Sequence, residues 1–255
     1  MRCRTRSILI STLALALLCL QPHAAGQERS TPKGYLRGFL GYTTQALGDL
    51  NDAIEDDEQA LRGLGIPLDW ETFGGAMEFG AGADLRVSDT VTLGMQVGMQ
   101  RSSVENSYSD WSGALSDHID LRVIDVSGTL TFWPPNSPGL FVGGSMGVAF
   151  GTADSESRFR IYSEPEYDLD AESDFSGSGL SLGAFGGYQA AVGEAGLVFL
   201  KAGYRLRNLG EFDGDVCSPQ SGCWDTEAQD NAGQALDFDF SGFFLECGLG
   251  FGVGR

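Results

Sequence analysis

Nine charged residues of this chain stand at alternate positions within stretches that are otherwise apolar or glycine-rich: Arg37, Glu78, Asp84, Arg86, Asp125, Lys201, Arg205, Arg207 and Glu246. On an extended segment, residues two apart share a face, so these groups can be gathered into one enclosed space. Three chemistries are then open to them: a selectivity lining, an acid/base pair, or an internal lattice of salt bridges. The two signs occur in similar number, as a self-neutralising lattice requires, because a charge taken out of water must be paired. The lattice is therefore the expected reading.

The elements that would position these residues show most clearly between Phe73 and Met99. Phe73, Gly75, Met77, Phe79, Ala81, Ala83, Leu85 and Val87 form one row, and Gly74, Ala76, Glu78, Gly80, Gly82, Asp84 and Arg86 form the other. After Ser88-Asp89-Thr90 the alternation resumes, with Val91, Leu93, Met95, Val97 and Met99 against Thr92, Gly94, Gln96, Gly98 and Gln100. A soluble sandwich packs its apolar face inward and puts charge, seldom glycine, outside. Here the polar face is crowded with glycine and reads as the confined one. Apolar outside and small or polar inside is the pattern of a transmembrane β-barrel. The row from Phe73 to Val87 is accordingly expected to face lipid.

Residues 1–26 have the three parts of a secretory signal peptide: Arg2, Arg4 and Arg6, an apolar run from Ile8 to Leu20, and small residues at Ala24-Ala25-Gly26. Leu17-Leu18-Cys19 is a poor lipoprotein motif, since Leu18 stands where a small residue is wanted. Residues 27–33 read as a periplasmic linker and 34–255 as the barrel domain. Loss of the signal removes three of 16 basic residues and none of 35 acidic ones, leaving 13 against 35, a net −22. Such a balance excludes a nucleic-acid surface, which must be basic. No later stretch approaches the roughly 18 apolar residues of a membrane helix, so a membrane-spanning form must be a closed barrel. Cys217 and Cys223 lie close together in a polar loop of an exported chain, and a local disulfide is expected. Cys247, in an apolar row, reads as a buried or lipid-facing thiol.

Six further stretches bear on the architecture. Strands are predicted at Gly34 to Thr43, Ile119 to Trp133, Leu140 to Phe150, Leu180 to Val192, Val198 to Arg207 and Asp237 to Val253, beside the two of the opening hairpin, giving eight. In the fourth, Ile119, Leu121 and Val123 are out of phase with Ile124, Val126, Leu130 and Phe132, which predicts a bulge or a strand leaving the bilayer. Connections at 88–90, 134–138 and 193–196 are short, and those at 44–71, 104–118, 152–175 and 208–236 are long. Short periplasmic turns and long outer loops are the outer-membrane arrangement. These features resemble the small eight-stranded outer-membrane barrels of Gram-negative bacteria, the OmpA/OmpX/OmpW-like group. The last strand is similar to the assembly signal of that class, with Glu246, Gly248, Phe251 and Val253 in its positions, although the chain ends on Gly254-Arg255 rather than an aromatic residue. The resemblance implies insertion by the barrel assembly machinery and contact with outer-membrane lipid and lipopolysaccharide.

Within the first long loop, Leu47, Leu50, Ile54, Leu61 and Leu64 fall on one side of a helix from Ala46 to Leu64, with acidic residues elsewhere. Capping the barrel mouth is its expected role, since membrane-surface helices are basic. Asp49, Asn51 and Asp52 lack the glycine and spacing of a calcium loop. Residues 154–174 and 211–239 carry eight carboxylates each, the second without lysine or arginine. Divalent cations are candidate partners there, a solvated surface being the simpler account. Among Trp70, Tyr108, Trp111, Tyr162, Tyr167 and Trp224, some are expected in the outer aromatic girdle. Catalysis is not expected. The mature chain has one histidine, His118, read at a loop-to-strand junction beside Ser116, Asp117 and Asp120, and neighbours on one extended segment do not converge as a triad. No metal or cofactor site is expected. The function read from the sequence is a monomeric, non-enzymatic outer-membrane barrel with a filled lumen and a structural or surface-interaction role. The alternatives are a narrow channel or carrier for small solutes and, less well supported, a soluble lipocalin-like binding barrel.

Overall fold

A computed structural model describes residues 33–63, 66, 70–163, 168–193, 195–229 and 233–253. The expected signal peptide (1–26), the linker to residue 32, Leu64, Tyr167 and the terminal Gly254 and Arg255 lie outside the described residues. In chain order the elements are β1 (Gly34–Thr44), α1 (Gly48–Gly63), β2 (Gly75–Arg86), β3 (Val91–Ser109), β4 (Gly113–Phe132), β5 (Leu140–Ile161), β6 (Leu169–Val192), β7 (Gly196–Glu211), β8 (Asp213–Ser218), β9 (Gly222–Glu227), β10 (Asp237–Asp239) and β11 (Gly242–Val253). Strands β1 to β7 and β11 pair antiparallel with their neighbours, and β11 joins β7 to β1, so eight strands close on themselves. The ring leaves no free edge, the condition for a sheet to sit in lipid. Strands β8 and β9 form a hairpin on β6, and β10 lies beside β7.

The short turns fall where the sequence placed them. The Pro134 to Pro138 turn reverses through Asn136, at φ 67°, and Gly139, at φ 83°, a left-handed conformation that asparagine and glycine adopt at least cost. The long loops are different. Residues 104–118 are almost entirely ladder, with register unbroken from Val91↔Phe132 to Ser109↔Ala114 around a turn at 110–112. The 152–175 segment is likewise an extension of β5 and β6, paired as far as Phe159↔Leu169. The 208–236 segment carries the β8–β9 hairpin, in which Cys217 and Cys223 are disulfide-bonded. Three of the expected loops are thus a β-sheet head standing above the membrane. The alternation that builds it uses serine, alanine and charged residues, and is too weakly apolar to read as strand.

Strand β4 has no bulge: its register with β3 and with β5 is continuous. The change of phase has another cause. Leu121, Val123, Asp125, Ser127, Thr129 and Thr131 all point inward and are buried, while Arg122, Ile124, Val126, Leu130 and Phe132 point outward. The faces never switch; the media do. Below Val123 the inside is polar and the outside apolar, and above it the order is reversed.

The head therefore has an ordinary hydrophobic core, formed by Leu47, Leu50, Ile54, Phe73, Val104, Leu121, Val123, Ala149, Ala153, Leu209, Phe212, Phe238 and Phe240 among others. α1 contributes Leu50 and Ile54, two positions one turn apart on its inner face. Asn51 ties the helix down by accepting from the Phe73 amide and donating to its carbonyl, both at 2.9 Å. This corrects the expectation for Phe73: β2 begins at Gly75, and Phe73 is 3% exposed beneath α1 rather than facing lipid. Glycines on the inner face make room for rings. A Cβ at Gly151 would lie 2.6 Å from Phe212 Cζ, and one at Gly248 2.6 Å from Phe199 Cζ.

Candidate functional site

The outer face of the ring carries an unbroken apolar band. Leu36, Leu40, Met77, Phe79, Leu85, Leu93, Met95, Val97, Ile124, Leu130, Val142, Met146, Leu180, Leu206, Leu245 and Leu249 are all exposed, and Cys247 stands among them as a free, exposed thiol. Exposure of this extent on a closed ring is intelligible only in lipid. The chain is an eight-stranded transmembrane β-barrel. Among the described residues no helix is long and apolar enough to cross a membrane, so the strands do so. The expected aromatic girdle is not where it was placed. Trp111, Tyr162 and Trp224 are exposed on the head, well above the band, and Trp70 packs on the head core. The band itself ends in Tyr42, Phe150 and Phe243 on one side and Phe132 and Phe251 on the other.

Inside the ring, the charges are stacked in levels. Nearest the mouth framed by the short turns, Arg86 donates to the carbonyls of Ser88 and Asp89, at 3.3 and 3.0 Å. Two residues from its own turn, it is spent there, a correction to its expected place in the lattice across the lumen. Asp84 likewise does not reach β7: its Oδ2 lies 3.1 Å from Nε of Arg37 on β1, while Arg37 also lies over the Phe199 ring. The Trp133 indole donates to Thr92 Oγ1 at 2.9 Å and packs on Phe141, which meets Phe185 edge-on.

The middle level is the most enclosed. Glu78, Asp125, Lys201, Arg205, Arg207 and Glu246 are each at most 2% exposed. Lys201 Nζ lies 2.5 Å from Glu246 Oε2 and donates to Gln96 Oε1 at 3.3 Å. Arg205 spans two carboxylates, with Nη1 at 2.8 and 2.9 Å from the oxygens of Glu78 and Nη2 at 3.0 Å from Glu246 Oε1. Thr43 completes Glu78 with a 2.9 Å hydroxyl bond. Three rings surround the ammonium of Lys201: Phe39, Phe185 and Phe244, at 5.0 to 5.5 Å. Phe244 also faces the Arg205 guanidinium at 4.6 Å. Cations over aromatic faces gain more when desolvated, as here. At the upper edge of this level, Arg207 Nη1 donates to Gln100 Oε1 at 2.6 Å and its Nη2 lies 3.6 Å from Asp125 Oδ2, an ion pair without a direct hydrogen bond. Above that, the head core closes the interior.

Four cations, Arg37, Lys201, Arg205 and Arg207, thus meet four carboxylates, Glu78, Asp84, Asp125 and Glu246. Each middle-level charge lies within 4 Å of one of opposite sign, an arrangement of mutual neutralisation, although Asp125 Oδ2 and Arg207 Nε and Nη2 have no hydrogen-bond partner among the described residues. The sequence reading put Gln96 and Gln100 on the confined face but gave them no part in the lattice, and it missed the lumen aromatics. Their signal was parity: Phe39, Phe199 and Phe244 each stand two residues from a lumen charge, on the same face. Of the assembly-signal residues, Glu246 and Gly248 face inward, while Phe251 and Val253 face outward.

Outside, where β3 and β4 leave the band, Asp120 accepts from Arg101 at 3.1 and 2.7 Å and from Arg122 at 3.0 Å. Burial raises the Asp120 carboxyl, but the two guanidiniums outweigh it and hold the group below the usual carboxylate range. His118 lies within β4 rather than at its end, on the outer face, opposite Glu105 and Glu156. Asp117 points the other way, and Asp120 is held by the arginines, so the three form no triad. From Asp120, aspartates face one another in register across five strands: Asp120↔Asp154, Asp154↔Asp174, Asp174↔Asp215 and Asp215↔Asp225. Hydrogen bonding to Asp225 and repulsion from it raise the Asp215 carboxyl.

No protein-family model matches the chain, and no curated protein matches it in sequence. Solved structures do resemble it in shape. OprG of Pseudomonas aeruginosa, an outer-membrane protein, aligns with 88% of this chain and 97% of its own at 13% identity and a TM-score of 0.46. A major outer-membrane protein of Thermus thermophilus aligns over 85% and 98% at 9% identity, with a TM-score of 0.46. Ail, the attachment invasion locus protein of Yersinia pestis, solved with the heparin analogue sucrose octasulfate, aligns over 86% and 98% at 10% identity, with a TM-score of 0.41.

Proposed function

We propose that the protein is a sealed, non-enzymatic scaffold whose role is structural or interactive, exercised at the cell surface by its acidic head. The observation that carries this reading is the continuous chain Lys201–Glu246–Arg205–Glu78 across the lumen, directly beneath an apolar plug. Opening the first means separating buried ion pairs, and opening the second means hydrating a hydrophobic core. The rival, a narrow channel or carrier for small solutes, has one feature in its favour. A cavity of ≈ 520 Å³ opens at the short-turn end of the barrel, and one of ≈ 410 Å³ lies within the head, above the plug. Transport between them would require Lys201 and Glu246 to part. Swelling of proteoliposomes in arabinose or glycine separates the readings: the scaffold leaves the rate at that of protein-free vesicles, and faster swelling overturns it.

The head suggests how the scaffold meets its surroundings. Arg101 and Arg122 stand on the outer face one step above Met99 and Ile124, and both guanidiniums are about half exposed; in this reading they meet lipopolysaccharide phosphates. The aspartate ladder beside them supports the reading that divalent cations bridge the head to those phosphates as a diffuse array, because like charges placed opposite one another on strands repel. In this reading the barrel is monomeric and is inserted by the barrel assembly machinery through its last strand.

A further inference from the structure

Strand β9 is the last strand at one end of the sheet: it pairs with β8 on one side and with no described strand on the other. Its register tells which backbone groups lie on that open side. Cys217 and Cys223 face each other with Cα atoms 4.0 Å apart, the close spacing of a non-hydrogen-bonded antiparallel pair. The two kinds of pair alternate along such a ladder, so Asp215↔Asp225 and Asp213↔Glu227 are of the same kind, whereas Val216↔Trp224 and Gly214↔Thr226 exchange the bonds. The Ala228 amide, which donates to the Phe212 carbonyl at 2.9 Å, continues the bonded set. The N–H and C=O groups of Cys223 and Asp225 therefore point away from β8, and among the described residues no backbone group meets them there. The other long edge of the head is covered. Above Arg101, β3 has no partner in β2, but the chain beside it is tied down by Asn106, which accepts from the Glu71 amide at 2.9 Å, and by Ser102, which donates to the Gly75 carbonyl at 3.4 Å.

We propose that the open edge of β9 receives an extended segment of a partner protein as an added antiparallel strand, with lysine or arginine on its outward face and apolar residues on its inward face. An unpaired edge is a template for a strand, whose backbone supplies the affinity and whose alternate side chains supply the selectivity. The register fixes that selectivity. Asp225 and Glu227 stand on the outward face, Asp225 as the last member of the aspartate ladder. Trp224 stands on the inward face beside Val216 and is 45% exposed. A residue directly opposite on an added strand shares the face of the one it meets. Cations are thus wanted opposite Asp225 and Glu227, and apolar groups opposite Trp224 and Thr226. A cation opposite Asp225 also offsets the repulsion that, with a hydrogen bond from the same residue, raises the Asp215 carboxyl. The two carboxylates reject the simplest rival, a second copy of β9, because each edge would bring its acids against the other's.

The inference rests on the reading of the head as an interaction surface and names the chemistry of its partner. Titration of the isotope-labelled protein in nanodiscs with the acetylated, amidated hexapeptide Thr-Lys-Val-Lys-Phe-Thr tests it, the run Lys-Val-Lys-Phe lying opposite Glu227, Thr226, Asp225 and Trp224. Saturable binding is expected, together with slowed exchange of the Asp225 amide and no change at Trp224, whose amide already faces β8. Methylation of the peptide nitrogen opposite Asp225 should weaken binding about tenfold or more, and replacement of both lysines by glutamate should abolish it. Asp225→Asn should weaken it about two- to fivefold, as a cross-strand charge pair implies. Absence of saturable binding, unaltered exchange at Asp225, or indifference to the backbone methyl would each overturn the proposal, the last by reducing it to adsorption of charge. So would protection of the Asp225 amide that rises with protein concentration in the absence of peptide, which would give the edge to a second copy. None of these outcomes alters vesicle swelling, which tests the sealed scaffold alone.

Discussion

The membrane-spanning and head halves of β3 and β4 are the same strands in two media. On the inner face, Gln96, Gln100 and Asp125 give way to Val104, Leu121 and Val123; on the outer face, Met99 and Ile124 give way to Arg101 and Arg122. Below the border, lipid rewards the outer row, and the inner row is left with backbone and charge that only pairing can satisfy. Above it, water rewards the outer row, and the hydrophobic effect packs the inner one. One ladder of hydrogen bonds thus runs through two cores held by opposite principles, and the border can be read to within a residue from where the two rows exchange character.

The comparison is most severely tested by breaking each core in turn. Glu246 contacts both Lys201 and Arg205, so Glu246→Gln leaves two buried cations undercompensated. The expected loss is about 3–5 kcal/mol, read as a shift in urea unfolding of the refolded protein in lipid vesicles, with part of it recovered by Lys201→Met in the same chain. In the head, Phe212 is fully buried and stacks on Phe238 at 4.0 Å. Phe212→Ala should cost about 3 kcal/mol through the cavity it leaves, and it should open the head to protease while the membrane ring stays folded. A loss of ring stability equal to the loss in the head would show that the two cores are one.

That two cores exist was only half legible in the sequence. The lower half was, because its outer row is apolar without interruption and every predicted member from Met77 to Val87 faces out. The lattice was legible as a set of inward charges but not as pairs. Alternation gives the face of a residue and not its height, which depends on strand tilt and shear around the ring; that Asp84 meets Arg37 on β1 is set by that height. Parity also hid the rings Phe39, Phe199 and Phe244, since apolar residues on the polar face read as exceptions until the glycines opposite them are seen as their sockets. The head was read as loops because its inward residues are mostly small, and Val104, Leu121 and Val123 look like a slip of phase when the medium is assumed constant.

Smaller effects sharpen the contrast at the surface. Asp215 opposes both Asp174 and Asp225, and its carboxyl is raised in the folded state. Its contribution is favourable below the ordinary carboxylate range and is lost as pH rises through its folded value. Asp215→Asn should therefore slightly stabilise the head at neutral pH, and millimolar magnesium should do the same for the wild type and less for the variant; protease protection of the head measures both. Smallest of all is the β3–β4 turn. Asp110 accepts from the hydroxyl and amide of Ser112 and from the Gly113 amide, bonds that hold its carboxyl down at about 2. The support it gives is present above the ordinary carboxylate range and disappears as pH falls through that value, so exchange of the Ser112 and Gly113 amides should accelerate locally below pH ~3 and in Asp110→Ala at any pH.

The central claim, that two independent closures seal one barrel, is tested most directly by planar-bilayer recording of the refolded wild type beside Phe212→Ala. The account predicts no unitary conductance from either protein, because the ion-paired level still closes the lumen when the plug is loosened. Reproducible ohmic steps from the wild type would contradict it.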